Sequence, residues 1–243
     1  MRYSPNINII IKAIDNITDR LARDFGEIEN LQNNPRSVIK FTNSCYKRIK
    51  ENLANDLSKF HKDYNIEFAD GDKVINNEEA KYSYIIQPID GLFNLSRAIP
   101  YFSTAIALEY NNGSKKEIIA IVVMSVANNE LYFAEKGSGA FLNNRRIRVS
   151  KRDLTHDILC LVSNKELLNH SLTKNTKFNF RLNNVPTLDI AYLASGRADL
   201  YLLGNKQPNK IIQAMILMLK EAGGDISEKE DMIILNNSEI KLS

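Results

Sequence analysis

The segment that most constrains the fold is an apolar run that stops at a sharp turn. It covers residues 84–94 and reads Tyr-Ile-Ile-Gln-Pro-Ile-Asp-Gly-Leu-Phe-Asn. Short runs of β-branched and aromatic residues favour a strand, and proline and glycine end such runs. The segment therefore predicts a strand over residues 82–87 that leads directly into a turn at Asp90 and Gly91.

The remaining elements follow from periodicity. Apolar residues recur at helical spacing behind Ser4 and Pro5, and again after Pro35; the two sets are Ile7, Ile10, Ile11, Ile14, Ile17 and Leu21, then Tyr46, Ile49, Leu53, Leu57 and Phe60. Further strands are predicted over residues 101–108, 118–124, 131–134, 158–162, 178–182, 198–203 and 232–235. Two later helices are predicted over residues 187–195 and 210–222, the second closing at Gly223 and Gly224. A helix pair, an antiparallel sheet and then alternating elements predict a layered α/β or α+β architecture. We expect one domain with halves at about residues 1–150 and 151–243.

Composition excludes several classes of protein. The chain has 243 residues, of which 44% are hydrophobic and 25% charged, as is ordinary for a soluble globular protein. No apolar run reaches the length of a membrane span and the start lacks a signal-peptide core, so we expect a cytoplasmic protein with no membrane partner. Two cysteines in unrelated segments indicate neither a disulfide framework nor a zinc site. The net charge of +3 permits contact with nucleic acid without arguing for it.

Four segments, in order along the chain, resemble the inositol monophosphatase family. The first is the run above, which the family writes W-I-I-D-P-I-D-G-T-T-N, together with the strand behind it. The others are a G-x-G-A-F-x-N hairpin, an L-D-L-A-Y-V-A-S-G-R-x-D segment and an E-A-G-G helix end; in this chain they lie at residues 135–150, 188–199 and 221–224. The resemblance implies a sugar-phosphatase fold of alternating α-β-α-β-α layers, usually assembled as a homodimer.

The resemblance also implies a chemistry, the Mg²⁺-dependent hydrolysis of phosphate esters. The family holds its ions with a Glu from a loop, both Asp residues of D-P-x-D-G-T, the carbonyl group between them and an Asp at the start of a late helix. Mg²⁺ prefers such oxygen ligands, and the bound ions position the phosphate and activate a water.

This chain departs from that ligand pattern at most positions. Apolar or amide side chains stand where the family has metal-binding or water-activating residues, namely at Phe68, Gln87, Leu92 and, by counting, Lys210 or Ile211. The remaining candidate metal ligands are Asp90, the carbonyl group of Ile89 and, with a shift of register, Asp70. Asn209 is the nearest polar substitute in the late helix, although a role as its N-cap is favoured. We interpret the carboxylate cage as dismantled, with Mg²⁺ as the cofactor if any is bound.

The substrate-binding positions have changed as well. Gly91 is retained, but the family's G-S-A or G-T-A loop corresponds to Asn184, Val185 and Pro186. Pro186 brings no N–H group, and the hydroxyl group is missing. These are therefore vestigial substrate positions.

One local cluster of basic residues contains Arg145, Arg146 and Arg148, with Lys151 and Arg152 beyond them. These residues alternate with Ile147 and Val149 as in a strand. A solvated strand face is the favoured interpretation, and a site for a polyanion is the alternative.

Three functions remain open from the sequence. The first is a non-catalytic family member, a pseudophosphatase kept as a dimeric binding or regulatory protein. The second is an Mg²⁺-dependent phosphomonoesterase, acting on inositol phosphate or a related sugar or nucleotide phosphate, with a rearranged site built from Asp70, Asp72, Asp90 and Asn209. The third is a factor that binds RNA or a ribonucleoprotein through the arginine cluster.

Overall fold

The structure, a computed structural model, describes residues 3–59, 63–169, 177–204, 207–229 and 232–242. The chain divides into two compact units, Met1–Leu131 and Tyr132–Ser243. This division falls earlier than residue 150, within the strand that opens the predicted hairpin, and the single domain stays a prediction. In the part of the chain that is described, no helix has both the length and the apolar character needed to cross a membrane.

Two long helices open the first unit, as predicted. α1 (Pro5–Asn30) begins at Ser4, whose hydroxyl accepts the N–H of Ile7 at 3.2 Å, and α2 (Pro35–Ser58) begins at Asn34, whose side chain accepts the N–H of Ser37 at 3.2 Å. The predicted apolar face of α1 is buried except for the half-buried Ile11. The two helices pack against each other and against the sheet of this unit.

The buried face of α2 differs in part from the prediction. It consists of Val38, Thr42, Cys45, Ile49, Leu53 and Leu57. Tyr46 was predicted on this face but is only half-buried, because its hydroxyl reaches a polar partner described below. Phe60 lies outside the described residues.

The sheet of the first unit has the strand order β2-β1-β3-β4-β5. Its strands are β1 (Tyr64–Phe68), β2 (Lys73–Val74), β3 (Tyr82–Asp90), β4 (Ser103–Asn111) and β5 (Lys116–Ser125), with the short helix α3 (Leu92–Ser96) between β3 and β4. β1 and β3 run parallel, and the other neighbours in this order are antiparallel. β1 was not among the predicted strands, although Tyr64, Ile66 and Phe68 alternate with Asn65 and Glu67 as in a half-buried strand.

The second unit opens with an antiparallel meander and continues with a second sheet. The meander consists of β6 (Glu130–Glu135), which crosses the division, β7 (Gly139–Leu142) and β8 (Arg145–Arg146). The sheet has the order β10-β9-β11-β13-β12. Its strands are β9 (Ile158–Val162), β10 (Phe178–Arg181), β11 (Leu200–Leu203), β12 (Asp225–Lys229) and β13 (Met232–Asn236).

Strands β10, β9 and β11 of this sheet are parallel, and β13 and β12 are antiparallel to their neighbours. A 3₁₀ turn (Glu166–Asn169) follows β9, and the helices α4 (Pro186–Ala194) and α5 (Lys210–Glu221) pack against each other. The strand β12 was not predicted, because an exposed edge strand with the polar sequence Asp-Ile-Ser-Glu-Lys carries no apolar alternation.

Two of the sequence motifs meet at the end of α5. Glu221 accepts the backbone N–H groups of Gly137 and Gly139 at 2.7 and 2.8 Å, so the E-A-G-G segment holds the turn of the hairpin. Gly223 ends the helix with φ +88°, and its N–H bonds to the carbonyl of Lys220, as the predicted C-cap requires. A Cβ on Gly224 would lie 2.9 Å from the carbonyl oxygen of Asn236, so a side chain does not fit there.

We expect the substitution Glu221→Ala to lower the free energy of unfolding by about 1.5–3 kcal/mol, because it removes the charged acceptor of two hydrogen bonds. Urea denaturation measures this. The matched control is Glu239→Ala, which removes an exposed carboxylate from the same unit. Equal stability of the two variants would contradict the role given to Glu221.

Candidate functional site

The signature strand β3 ends in an irregular register. Gln87 lies opposite Ala105 on β4 and Asp90 lies opposite Ser103, so the two residues between them on β3 face one residue on β4. A proline lies inside this bulge, where it does not interrupt a regular ladder. Gly91 follows with φ +84°, a left-handed conformation that glycine adopts without strain. The bulge brings together the groups on which metal binding would depend.

The carbonyl groups in this bulge already have donors from the protein. The Nε2 of Gln87 donates to the carbonyl oxygen of Ile89 at 2.9 Å. The hydroxyl of Thr104 donates to the carbonyl oxygen of Pro88 at 2.7 Å. An amide NH₂ group has only hydrogens to offer a neighbour. Gln87 therefore presents a donor at the carbonyl that the family resemblance assigns to a metal ion.

The end of β1 brings an aromatic ring beside the signature strand. Phe68 lies in register with Ile86, and the N–H of Ala69 donates to the carbonyl oxygen of Ile86 at 2.9 Å. Phe68 is buried, with 6% of its surface exposed. A benzyl side chain thus occupies the position that the resemblance assigns to a metal-binding Glu. Glu67, one residue earlier, pairs with Lys73 at 3.5 Å.

A lysine ammonium lies over this ring. The Nζ of Lys50 is 4.6 Å from the centroid of Phe68, within the range of a cation–π contact. It also lies 2.6 Å from a carboxylate oxygen of Asp70 and 2.5 Å from one of Asp72. The side chain of Lys50 is 16% exposed. Two carboxylates proposed for a rearranged metal site therefore share an ammonium group supplied by α2.

The groups in this cluster shift one another's pKa values. Burial alone would raise the pKa of Asp70, but hydrogen bonds from Lys50, the backbone of Asp72 and the Tyr46 hydroxyl lower it below the ordinary value of 3.8. Burial tends to lower the pKa of Lys50, and the bonds to both carboxylates raise it. Burial and the bond to Asp70 raise the pKa of Tyr46. These shifts keep Lys50 and Asp70 charged at neutral pH and Tyr46 a neutral phenol.

We expect Lys50→Met to lower the free energy of unfolding at pH 7 by about 1–2 kcal/mol, discounted because Asp72 is largely exposed. The lowered pKa of Asp70 means that its contribution is fully present above pH 3.8 and is lost as the pH falls through the lower folded-state value. The difference between variant and wild type should therefore shrink below that pH. Urea denaturation at several pH values measures it, with the exposed Lys47→Met as control. A difference independent of pH would contradict the ion pairing.

A cleft of about 580 Å³ lies between α2 and the β1–β2 hairpin. Its lining combines an apolar floor with charged residues of both signs: Tyr46, Lys47, Lys50, Glu51, Ala54, Phe68, Asp72, Lys73 and Val74. Its volume falls in the range of small-molecule sites. Neither Gln87 nor Asp90 lines it. The cleft is therefore lined by Tyr46, Lys50 and Asp72 and not by the signature residues.

The vestigial substrate loop leads into α4 without a polar cap. Val185 is the N-cap residue, is fully buried and makes no side-chain capping bond, and Pro186 is the first helical residue. Asn184 has φ +57°. The neighbouring Asn183 donates to Asp189 at 2.7 Å. Neither Val185 nor Pro186 offers a side-chain donor to a phosphate.

The start of α5 also lacks the polar ligand that the family pattern has there. Asn209 is its N-cap, and its side chain accepts the N–H of Ile212 at 2.9 Å, so the predicted capping role is confirmed. Lys210 is the first helical residue, and Ile211 is buried with 3% exposure. Neither is a carboxylate, so neither can supply the acidic ligand of the family pattern.

Asp90 remains the one predicted signature carboxylate in place. It ends β3, and Gly91 is the N-cap residue of α3. Among the residues that the structure describes, no three His, Cys, Asp or Glu side chains are grouped so as to hold a metal ion. The positions that the resemblance assigns to metal ligands thus hold the amide of Gln87, the buried ring of Phe68 and the carboxylate of Asp90. These groups do not fit Mg²⁺, which requires several oxygen ligands.

The predicted arginine cluster is exposed. Arg145 and Arg146 form β8, and both of these side chains and that of Arg148 face solvent. The guanidinium of Arg146 covers Gly139, where a Cβ would lie 2.9 Å from its Nε. Arg152 is different: its Nε donates to the buried Asp199 at 2.7 Å. The exposed basic surface is therefore made by three arginines and Lys151.

Sequence reasoning missed the pairing of Tyr46 and Lys50 with the turn at residues 70–72. The two residues lie four apart on α2 and so share a face of the helix. This spacing was the available signal, but Tyr46 was assigned to the apolar face. Their carboxylate partners are identifiable only once α2 packs beside β1.

The sequence of this chain is similar to those of known proteins. A sequence profile described as the inositol monophosphatase family matches residues 3–235. The chain belongs to the inositol monophosphatase family. An inositol-1-monophosphatase of Rhizobium meliloti is 30% identical, in an alignment that covers 95% of this chain and 88% of that protein. A protein named Nus factor SuhB, from Xylella fastidiosa, is 29% identical. The alignment covers 92% of this chain and 82% of that protein.

Solved structures support the same assignment for this member of the inositol monophosphatase family. The extragenic suppressor protein SuhB of Bartonella henselae has a TM-score of 0.82 and 28% identity, covering 97% of this chain and 95% of that one. A Thermotoga maritima IMPase has a TM-score of 0.65 and 30% identity, covering 77% of this chain and 75% of that one. The predicted layered α/β sugar-phosphatase fold is confirmed. The substitutions at Phe68, Gln87, Leu92 and Ile211 thus stand within a fold that is otherwise retained.

Proposed function

We propose that this chain is a non-catalytic member of the inositol monophosphatase family that acts as a dimeric binding or regulatory protein. The observation that carries this proposal is the hydrogen bond from Gln87 to the carbonyl group of Ile89. The amide uses one of the two lone pairs of that oxygen. A cation bound at the other lone pair would lie close to the amide hydrogens, whose partial positive charge repels it.

The magnitude of the loss supports the same proposal. One carboxylate about 4 Å from a divalent ion contributes roughly 8 kcal/mol of attraction at an effective dielectric constant near 20, before desolvation. Phe68, Gln87 and Ile211 each stand in place of such a carboxylate. Asp90 alone cannot offset the dehydration of Mg²⁺, which usually keeps its waters unless several ligands replace them.

We expect the purified protein to release no phosphate from inositol 1-phosphate, fructose 1,6-bisphosphate or adenosine bisphosphate with Mg²⁺ or Mn²⁺. The Rhizobium meliloti inositol-1-monophosphatase, assayed in parallel, provides the positive control. Turnover that depends on the metal and disappears in Asp90→Asn would contradict the proposal and favour the phosphomonoesterase with a rearranged site. The engagement of Asp70 and Asp72 with Lys50, and of Asn209 with α5, weighs against that alternative.

The exposed arginines favour one second candidate, a surface that binds RNA. Three guanidinium groups on or beside β8 face solvent, and guanidinium groups suit phosphate recognition. If RNA binds there, the logarithm of affinity should fall linearly with the logarithm of salt concentration, and Arg145→Ala, Arg146→Ala and Arg148→Ala together should flatten that slope. Filter binding of single-stranded RNA measures it. Affinity that does not vary with salt would exclude this role.

A further inference from the structure

The first unit carries an exposed apolar groove. It is separate from the signature strand β3 and from the cluster of Tyr46, Lys50, Asp70 and Asp72. The groove has a volume of about 220 Å³ and lies between the start of α2 and the helix α3. Its two exposed large hydrophobic side chains are Phe93, with 62% of its surface exposed, and Ile39, with 60%. Pro35 and Val38 complete the apolar lining on the α2 side. Large exposed apolar side chains grouped in this way mark interaction sites more often than isolated ones do.

The walls of the groove are held in place by hydrogen bonds and packing. Gln32, which follows α1, donates from Nε2 to the carbonyl oxygens of Ile28 at 3.0 Å and Ser96 at 3.1 Å, which ties the end of α1 to α3. The guanidinium carbon of Arg97 lies 5.4 Å from the centroid of Phe93, so the ring is supported on one side. A groove that exists before binding requires little ordering of the protein when a partner arrives.

We propose that this groove binds an amphipathic segment of another protein, with an apolar side chain seated between Ile39 and Phe93 and a carboxylate facing Arg97. The proposal deepens the binding role proposed above and rests on it. The volume is below the roughly 300–1,000 Å³ of small-molecule sites, so it suits one or two anchoring side chains.

The charges around the groove indicate that the partner is acidic. Arg97 is the one charged residue among the seven that line the groove, all of which the structure describes. Arg36 and Lys40, exposed neighbours of the lining residues on α2, add positive charge on that side. A carboxylate placed one helical turn from the apolar anchor would meet this charge, as in the recognition of amphipathic helices by grooves.

The substitution that supplies the ring lies in the signature itself. Leu92 and Phe93 stand where the family pattern has two threonines, so two hydroxyl groups are replaced by apolar side chains. Leu92 is half-buried, and Phe93 points into the groove region. The same change that removes polar groups from the signature therefore adds apolar binding surface beside it.

The test selects binders for the full-length chain from a displayed library of random peptides long enough for about three helical turns. We expect the enriched peptides to share an apolar anchor with Asp or Glu three or four positions away. Phe93→Ala and Ile39→Ala should each weaken a selected peptide at least about tenfold. The matched control is Leu168→Ala, at an exposed leucine of the second unit, and should leave its affinity unchanged.

Charge exchange makes the test specific. Arg97→Glu should weaken the acidic peptide, and replacing the acidic residue of the peptide with Lys should restore binding to this variant. Phe93 and Arg97 are exposed, so these variants should fold, which circular dichroism checks. No enriched class of peptide, or binding unaffected by the groove variants, would overturn the proposal. A dimer that sedimentation shows to be dissociated by Phe93→Ala would also overturn it, because the occupant would then be a second copy of the chain.

The two proposals fail separately. Metal-dependent phosphatase activity together with groove binding would remove the non-catalytic role and leave the groove. A protein that binds no metal and no peptide would retain the non-catalytic role and lose the groove.

Discussion

Replacing Asp199 with alanine is expected to lower the free energy of unfolding by about 2–4 kcal/mol. The carboxylate is 1% exposed. It accepts three hydrogen bonds, from the Ser150 hydroxyl at 2.6 Å, the Arg152 Nε at 2.7 Å and the Leu159 N–H at 3.0 Å. Alanine would leave these donors facing a cavity. Arg152 is 40% exposed and can turn toward water, which keeps the estimate below that for a wholly buried pair.

Urea denaturation of Asp199→Ala measures this loss. Asp199→Asn keeps one oxygen acceptor and should lose less. Glu228→Ala, which removes an exposed carboxylate from the edge strand β12, should change the free energy of unfolding by no more than about 0.5 kcal/mol. A stability of Asp199→Ala equal to that control would show that the carboxylate does not hold the second unit together.

The second large effect is expected at Asp24, on α1. Its side chain is 2% exposed, bonds to the guanidinium of Arg48 on α2 and lies 3.3 Å from the Nε of Arg20. Removing it in Asp24→Ala leaves Arg48 without its charge partner between the two helices. We expect a loss of about 2–4 kcal/mol in the free energy of unfolding.

A double variant separates the ion pair from packing. Asp24→Ala with Arg48→Met removes both charges, and replacing a buried pair with apolar groups is often close to neutral. The double variant should therefore be more stable than Asp24→Ala alone. Asp19→Ala, at an exposed position of the same helix, is the control. A double variant less stable than the single one would contradict the account.

Asp199 and Asp24 are both buried carboxylates whose hydrogen bonds come from donors of the protein itself. Asp199 lies in one of the four segments that resemble the family, and its contacts are with the chain itself. Glu221, in another segment, likewise binds backbone N–H groups. Asp199 and Glu221 are thus parts of the pattern that persist with structural partners. Phe68 and Gln87, where the chain departs from the pattern, have partners as well, namely Lys50 and the carbonyl oxygen of Ile89.

Much of the fold was predictable because strong periodicity marks buried elements. α1, α2, α5, β3 and the core strand β9 follow from apolar spacing and from the caps Ser4 and Asn209. β1 was missed although its residues alternate between apolar and polar, which is the pattern of a half-buried strand. β12 was not predicted, since polar residues dominate this exposed edge strand. Edge strands are stabilised by pairing with a neighbour, which a local pattern does not record.

The residue types at the candidate site were predictable from the sequence, but the contacts between those residues were not. The sequence alone indicates that Phe68 has no ligand for Mg²⁺ and that the neutral amide of Gln87 is a poor one. It does not indicate that Gln87 bonds to the carbonyl of Ile89, because that contact depends on the bulge in β3. Nor does it pair Lys50 with Asp70 and Asp72, which requires α2 to pack beside β1.

The most direct test of a dismantled metal site is calorimetric titration of the full-length, chelator-treated protein with Mg²⁺ and Mn²⁺. We predict no saturable heat of binding for either ion, in a protein that still unfolds cooperatively. Saturable binding that is weakened by Asp90→Asn would contradict this account and would mean that the signature strand still holds a metal ion.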